Sequence, residues 1–285
     1  MFNKLAFYLK VSRPGLWFQT LWLYLVPTAQ MDLWHQPAFW LGLLYMAFPI
    51  NFLMYGWNDR VDRETDRLNQ RKDSYLWGAR GNDAQLDALP PIIALVQAPF
   101  LLAFLLLGAW LPLALIVAMI LANWLYNLPK HGWRGKPPLE LVNVLAMLLI
   151  LPFSSFLNHQ PQLPQLSVLY LALFCLKAHL IGEVMDIQPD SAAGRATTAV
   201  RIGATTTKLL IMALLLLEAC LLTLGFHEYV LGLFLFLALP WLVFDLLVLS
   251  RKPYTLLQFR WMGLGLNLSG YLSILWVWHS GTLAA

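Results

Sequence analysis

An all-α, polytopic membrane protein with nine transmembrane helices is the fold class this sequence predicts, on three observations. Hydrophobic residues make up 59% of the 285 and charged residues only 12%, with a mean hydropathy of +0.62. Water-soluble domains carry roughly a quarter charged residues. So little charge cannot cover a water-facing surface, which excludes a soluble globular enzyme, and so much apolar content excludes disorder. The apolar runs are also long and unbroken, as over 209–217, whereas a membrane β-barrel requires alternation. Finally, the basic residues partition cleanly between alternate loops.

A membrane helix needs about 20 mostly apolar residues, with latitude for tilt. Nine candidates follow in order: 16–30, 39–55, 91–109, 112–128, 139–157, 166–181, 207–225, 229–249 and 261–278. Helix breakers separate them, among them Pro90-Pro91, Pro129, Pro137-Pro138, Pro161 with Pro164, and Pro253. The first stretch follows Lys4, Lys10 and Arg13 and lacks a small-residue cleavage site, so it reads as a membrane helix rather than a signal peptide. Trp34, Trp110, Trp276 and Trp278 lie at span ends, as an interfacial belt requires. Every Lys and Arg except Lys177 falls in the N-terminal tail, in the loops after the even-numbered spans or, for Lys208, at the edge of the seventh span next to such a loop. The positive-inside rule then places the N-terminus and those loops in the cytoplasm. The net charge of +4 reports this topology and contact with anionic lipid or substrate, not nucleic acid, and no protein partner is predicted. Cys175 and Cys220 lie in apolar segments and read as small buried hydrophobes. With no soluble domain or linker, residues 1–285 form one membrane domain.

Two acidic clusters carry the chemistry. Asn58-Asp59-x-x-Asp62-x-x-x-Asp66 runs straight on from the second span. On a helix, Asn58, Asp62 and Asp66 step by four and share a face. Carboxylates stacked this way repel unless a cation neutralises them. Their hard oxygens suit Mg²⁺, which completes its shell with water and phosphate. The pattern points to a metal–diphosphate complex. The plainer alternative is a solvated loop in which Arg60, Arg63 and Arg67 pair with the acids. Glu183-x-x-Asp186-x-x-x-Asp190 continues the sixth span, with His179 on the same broad face and Pro189 expected to perturb the helix before Asp190. Both clusters fall on one membrane side. Asn123, Tyr126, Asn127, Lys130 and Arg134, at the cytoplasmic end of the fourth span, add cations suited to phosphate oxygens. Lys177, inside a span, is costly there and reads as a functional group or a partner of Glu218; Glu218 and Asp245 read as structural partners.

These motifs, in this order and on this membrane side, resemble the UbiA superfamily of intramembrane prenyltransferases over nearly the whole chain. The resemblance implies nine helices around a central cavity and Mg²⁺-dependent transfer of an isoprenyl group from a polyprenyl diphosphate to an aromatic or other lipophilic acceptor. Carried over by position, Asp62, Asp66, Asp186 and Asp190 are the catalytic set and bind the metal together with Asn58, Asp59 and Glu183. Arg13, Tyr126, Lys130 and Arg134 hold diphosphate oxygens. Three departures leave the acceptor open. The segment Ser74-Tyr75-Leu76-Trp77-Gly78-Ala79-Arg80 lacks the Arg-Pro pair common after the first motif, Pro129-Lys130 replaces a double proline, and Glu183 stands where Asp is common. The implied mechanism ionises the allylic C–O bond in a water-poor cavity, where aromatic faces stabilise the cation until an acceptor carbon attacks. The residue that takes the final proton is unassigned. A terpene cyclase of the same fold needs no acceptor. A transporter would place its acids near midspan.

Overall fold

The computed structural model describes residues 2–128, 132–249 and 254–284. Among the described residues there is no β-strand, and one isolated bridge, Ser74 to Gly78, closes a turn. The helices are α1 (Phe2–Val11), α2 (Trp17–Leu25), α3 (Pro37–Ala47), α4 (Pro49–Val61), α5 (Arg63–Leu68), α6 (Asp83–Asp87), α7 (Leu89–Leu106), α8 (Trp110–Tyr126), α9 (Val142–Leu148), α10 (Ile150–Leu157), α11 (Gln165–Ala192), α12 (Thr198–Cys220), α13 (Tyr229–Phe244) and α14 (Leu256–Ser280).

Among the described residues, six segments are long and apolar enough to cross a membrane: Pro37–Val61, Asp83–Leu106, Leu139–Leu157, Gln165–Ala192, Thr198–Gly225 and Tyr229–Leu249. They match six of the nine spans read from sequence. The other three stretches are helical but differ in length or polarity. The first holds only nine-residue α2, flanked by 3₁₀ turns that begin at or next to Pro14 and Pro27. The fourth is the 17-residue α8. The ninth lies in the 25-residue α14, whose apolar run is diluted by Gln258, Arg260, Asn267 and Ser269.

Packing runs from neighbour to neighbour. α2 meets α3, α9, α10 and α14; α4 meets α7; α8 meets α9 and α10; α11 meets α9 and α12; and α12 meets α13. Tyr24, Tyr45, Phe39, Phe104 and Phe153 are fully buried between them. Leucines such as Leu95, Leu106, Leu224 and Leu237 face outward. This inside-out pattern suits a lipid surround, because water would penalise such an apolar exterior.

Two local features position the acids. α4 ends at Val61 and Asp62 sits at the joint (φ −92°, ψ 8°), so the first motif is not one unbroken helix. The bonds Asp62 N–H to Asn58 O (2.9 Å) and Asp66 N–H to Asp62 O (2.8 Å) still bridge the joint, which carries the i, i+4 stripe across it. Pro189, expected to perturb the helix, lies inside α11, which continues to Ala192. The proline falls in the last turn, where it forfeits one backbone bond and its own carbonyl accepts Ala193 N–H at 3.0 Å.

Candidate active site

A pocket of about 240 Å³ lies among α4, α8, α9, α11 and α14. Arg13, Asn58, Arg71, Tyr126, Arg134, Asp186 and Asp190 form part of its wall; Leu16, Met54, Val144, Met147, Phe174 and Leu266 supply apolar surface. Along α11 the lining passes from Asp190 to Phe174, roughly 24 Å of helix at 1.5 Å per residue.

The aspartates of both motifs are all paired with cations, in three ion clusters. Buried Asp59 accepts from Arg13 Nη2 and Lys72 Nζ, each at 2.6 Å. Lys72 also reaches Asp66 at 2.7 Å. Asp62 is clamped between Arg134 and Arg195, and Arg195 lies 3.5 Å from Asp190, so one guanidinium bridges the two motifs. Arg134 donates to Asn58 Oδ1 as well. Asp186 accepts from Arg71 and, at 2.9 Å, from Asn69 Nδ2. Five carboxylates (Asp59, Asp62, Asp66, Asp186, Asp190) thus face five cations (Arg13, Arg71, Lys72, Arg134, Arg195). Aromatic faces hold three of the cations: Arg13 lies 4.4 Å from the Tyr55 ring centroid, Arg71 4.8 Å from Trp77, and Arg134 5.9 Å from Tyr126.

Burial pushes the Asp66 carboxyl up to about 6; the Lys72 ammonium opposes the shift, and Asp59 and Asp62 reinforce it. Burial also disfavours the charged forms of Arg13 and Arg134. Asp59 with Tyr55 and Asp66 around Arg13, and Asp62 with Tyr126 and Asp190 around Arg134, together outweigh it, and both guanidiniums are held above their ordinary range.

Arg13 reaches the site from a left-handed backbone (φ 51°, ψ 67°), an uncommon conformation for a residue with a Cβ and one that concentrates at functional sites. Residues 69–80 lie against it. Gly15 N–H donates to Tyr75 O at 3.0 Å, and a Cβ at Gly78 (φ 99°) would stand 2.8 Å from Arg13 Nε. Only glycine meets both the backbone and the space requirement there.

The sequence expectations fare unevenly. Asn58, Asp59, Asp62, Asp66, Asp186, Asp190, Arg13 and Arg134 converge, and Tyr126 lines the same pocket. Lys130 lies outside the described residues. Glu183 also lines the pocket but stands outside the aspartate clusters: its Oε1 is 3.1 Å from His179 Nε2 and its Oε2 accepts Ala199 N–H at 3.0 Å. The solvated-loop alternative fails, because Arg60 and Arg63 turn to Asp87 and Arg67 to Glu64 and Asp83. Lys177 pairs with Glu218, and Lys208 with Asp245 at 2.5 Å. Sequence reasoning missed Arg71, Lys72 and Arg195 as site residues. A signal was present: an arginine stands five residues beyond the last aspartate of each motif, Arg71 after Asp66 and Arg195 after Asp190.

The donors are carboxylate and amide oxygens, a hard set suited to Mg²⁺. Asp59 Oδ2 is buried without a hydrogen-bond partner among the described residues, so ligand capacity remains. The residues fit a divalent cation.

The model of the UbiA prenyltransferase family matches residues 16–270. The chain belongs to that family. As a UbiA-family member it is a membrane prenyltransferase. Curated relatives include a lycopene elongase/hydratase of Corynebacterium glutamicum, 28% identical over 78% of each chain. Another, from Halobacterium salinarum, is 31% identical over 83% of this chain and 84% of its own. Among solved structures, a UbiA homologue from Archaeoglobus fulgidus bound to DMAPP and Mg²⁺ superposes with a TM-score of 0.61 at 20% identity, covering 94% of this chain and 99% of that one. The same homologue bound to GPP and Mg²⁺ gives 0.56. At that identity the likeness speaks for the UbiA fold alone.

Proposed function

We propose that this protein transfers an isoprenyl group from a prenyl diphosphate to an apolar polyene acceptor within the membrane, with Mg²⁺ as cofactor. The observation that carries this reading is the meeting of both aspartate motifs and five cations beside a pocket with an apolar wall, which Arg13, Arg71, Arg134, Asp186 and Asp190 line directly. The relatives' names support a polyene acceptor, and the ligands of the Archaeoglobus fulgidus homologue support a short prenyl diphosphate with Mg²⁺.

In this reading Asn58, Asp59, Asp62, Asp66, Asp186 and Asp190 hold the metal. Bound there, Mg²⁺ supplies the positive charge that makes diphosphate a good leaving group. Arg13, Arg71, Lys72, Arg134 and Arg195 exchange aspartate for phosphate oxygens, with Tyr126 and, by its place in the motif, Lys130 beside them. Leu16, Met54, Val144 and Leu266 keep water from the allylic cation. The faces of Tyr55 and Phe174 stabilise it by about 0.5–2 kcal/mol each. The single domain crosses the membrane nine times around this pocket, its N-terminus and acidic loops cytoplasmic, with α2, α8 and α14 completing the six long spans.

The test is incubation of the purified full-length protein with labelled dimethylallyl diphosphate and lycopene, with and without Mg²⁺. A prenylated polyene that forms only with Mg²⁺ is expected. A cyclic hydrocarbon made without acceptor, or no diphosphate release from any prenyl diphosphate, overturns the reading.

A further inference from the structure

Prenyl transfer to an alkene leaves one task without a residue. The acceptor that attacks the allylic carbon becomes a carbocation itself and must lose a proton or bond water. The motif aspartates are occupied with arginine and lysine at the diphosphate.

A second polar cluster stands apart from them. Ligand atoms of Glu140, His179 and Glu183 lie within 4.8 Å of one another. His179 and Glu183 line the pocket, and His179 is the one histidine in that lining among the described residues. Seven positions along α11 separate His179 from Asp186, about 10 Å of helix. That is comparable to the span of a metal-bound diphosphate, its allylic carbon and the first acceptor carbons.

The cluster places two fixed carboxylates beside an imidazole. Glu183 Oε1 lies 3.1 Å from His179 Nε2, and Glu183 Oε2 is fixed by Ala199 N–H at 3.0 Å. Glu140, fully buried, accepts from Thr198 N–H at 2.7 Å and from the Thr198 hydroxyl. Its Oε2 has no hydrogen-bond partner among the described residues. Both carboxylates are thus pinned by backbone amides in the first turn of α12. Nε2 stands in ion-pair range of Glu183 without an aligned hydrogen bond, which leaves Nδ1 to accept a proton while Glu183 balances the charge of the imidazolium.

We propose that His179 is the catalytic base of the transfer, with Glu183 and Glu140 as positioning residues that stabilise its protonated form. The inference rests on the prenyl-transfer reading. The acceptor's π pair forms the C–C bond to the allylic carbon, and the C–O bond breaks with its electrons leaving on diphosphate. The electron-deficient acceptor carbon then loses a neighbouring proton to His179 Nδ1, and the C–H pair becomes the new C=C bond. Where water closes the cation instead, the same nitrogen takes the proton of the added water.

The experiment uses full-length protein in lipid nanodiscs with Mg²⁺, dimethylallyl diphosphate and lycopene, and reads diphosphate release and prenylated polyene separately. His179→Ala is expected to keep diphosphate release within about threefold of wild type while coupled product falls about 10²–10⁴-fold and dimethylallyl alcohol replaces it. Added imidazole is expected to restore coupling, a rescue that a merely structural role would not give. His179→Gln keeps the side chain's size and polarity, covers the case in which the alanine variant fails to fold, and is expected to lose coupling alike. Coupling at the wild-type rate in either variant overturns the proposal, as does joint loss of release and coupling without imidazole rescue. A stoichiometric transition metal in wild type that His179→Gln loses also overturns it, in favour of a metal centre. Wild type that releases no diphosphate overturns the prenyl-transfer reading and this inference with it; every other outcome leaves that reading standing.

Discussion

Asp62 touches two guanidiniums, and its neighbours in the motifs each touch at least one cation. Removing Asp62 would leave Arg134 and Arg195 without their shared anion, mixing a stability cost with a catalytic one. Asp186, with a side chain 28% exposed, gives the cleaner test. Asp186→Ala is expected to lower turnover by at least about 10²-fold, measured as diphosphate release, with a smaller drop in melting temperature in detergent than Asp62→Ala gives, because it strands one guanidinium rather than two. Asp66 gives a pH signature. Its carboxyl, raised to about 6, holds a proton that Mg²⁺ must displace. Mg²⁺ affinity measured by calorimetry is therefore expected to fall as pH drops through about 6, and Asp66→Asn to lose that dependence. The aspartates were legible in the sequence because i, i+4 carboxylates after an apolar span have few structural uses. Arg71, Lys72 and Arg195 were not, because positive-inside topology puts basic residues in those same loops whether or not they touch a ligand. Lys72 also reaches Asp59 and Asp66 only through the turn of residues 69–78, which spacing alone does not reveal.

The long helices were readable from their apolar runs and their ends. Glu228 caps α13 by accepting Val230 and Leu231 N–H, and Thr255 with Gln258 forms a capping box on α14. Less legible was how helices break where chemistry needs them to. The joint between α4 and α5 falls on Asp62 itself, and α12 is interrupted at Gly203 (φ 82°) shortly after its first turn meets Glu140 and Glu183. The ion pair Lys177–Glu218 ties α11 to α12 inside the apolar layer. Breaking such a pair strands one buried charge. Lys177→Met or Glu218→Gln alone is expected to cost about 3–5 kcal/mol, and the double substitution markedly less than the sum, measured by denaturation in mixed micelles.

Six long spans and three shorter or more polar helices form one all-helical body whose charge gathers on the side of the acidic loops. The positive-inside rule predicts that this side is cytoplasmic; the packing order of the helices was not readable, since every apolar face looks alike to lipid and to protein. Orientation is open to direct measurement. An impermeant maleimide is expected to label Gln162→Cys on intact cells and Ala84→Cys only after permeabilisation. The one-for-one matching of carboxylates and cations has a further consequence, for the end of the catalytic cycle. In the proposed reaction, the spent pyrophosphate would sit among arginines that have aspartate partners of their own. Those partners compete with it from within the same molecule, so the empty site is closed by its own counter-ions and the product is displaced rather than merely diluted away. On that reading added pyrophosphate is expected to inhibit only weakly, which initial rates of prenyl transfer measure directly.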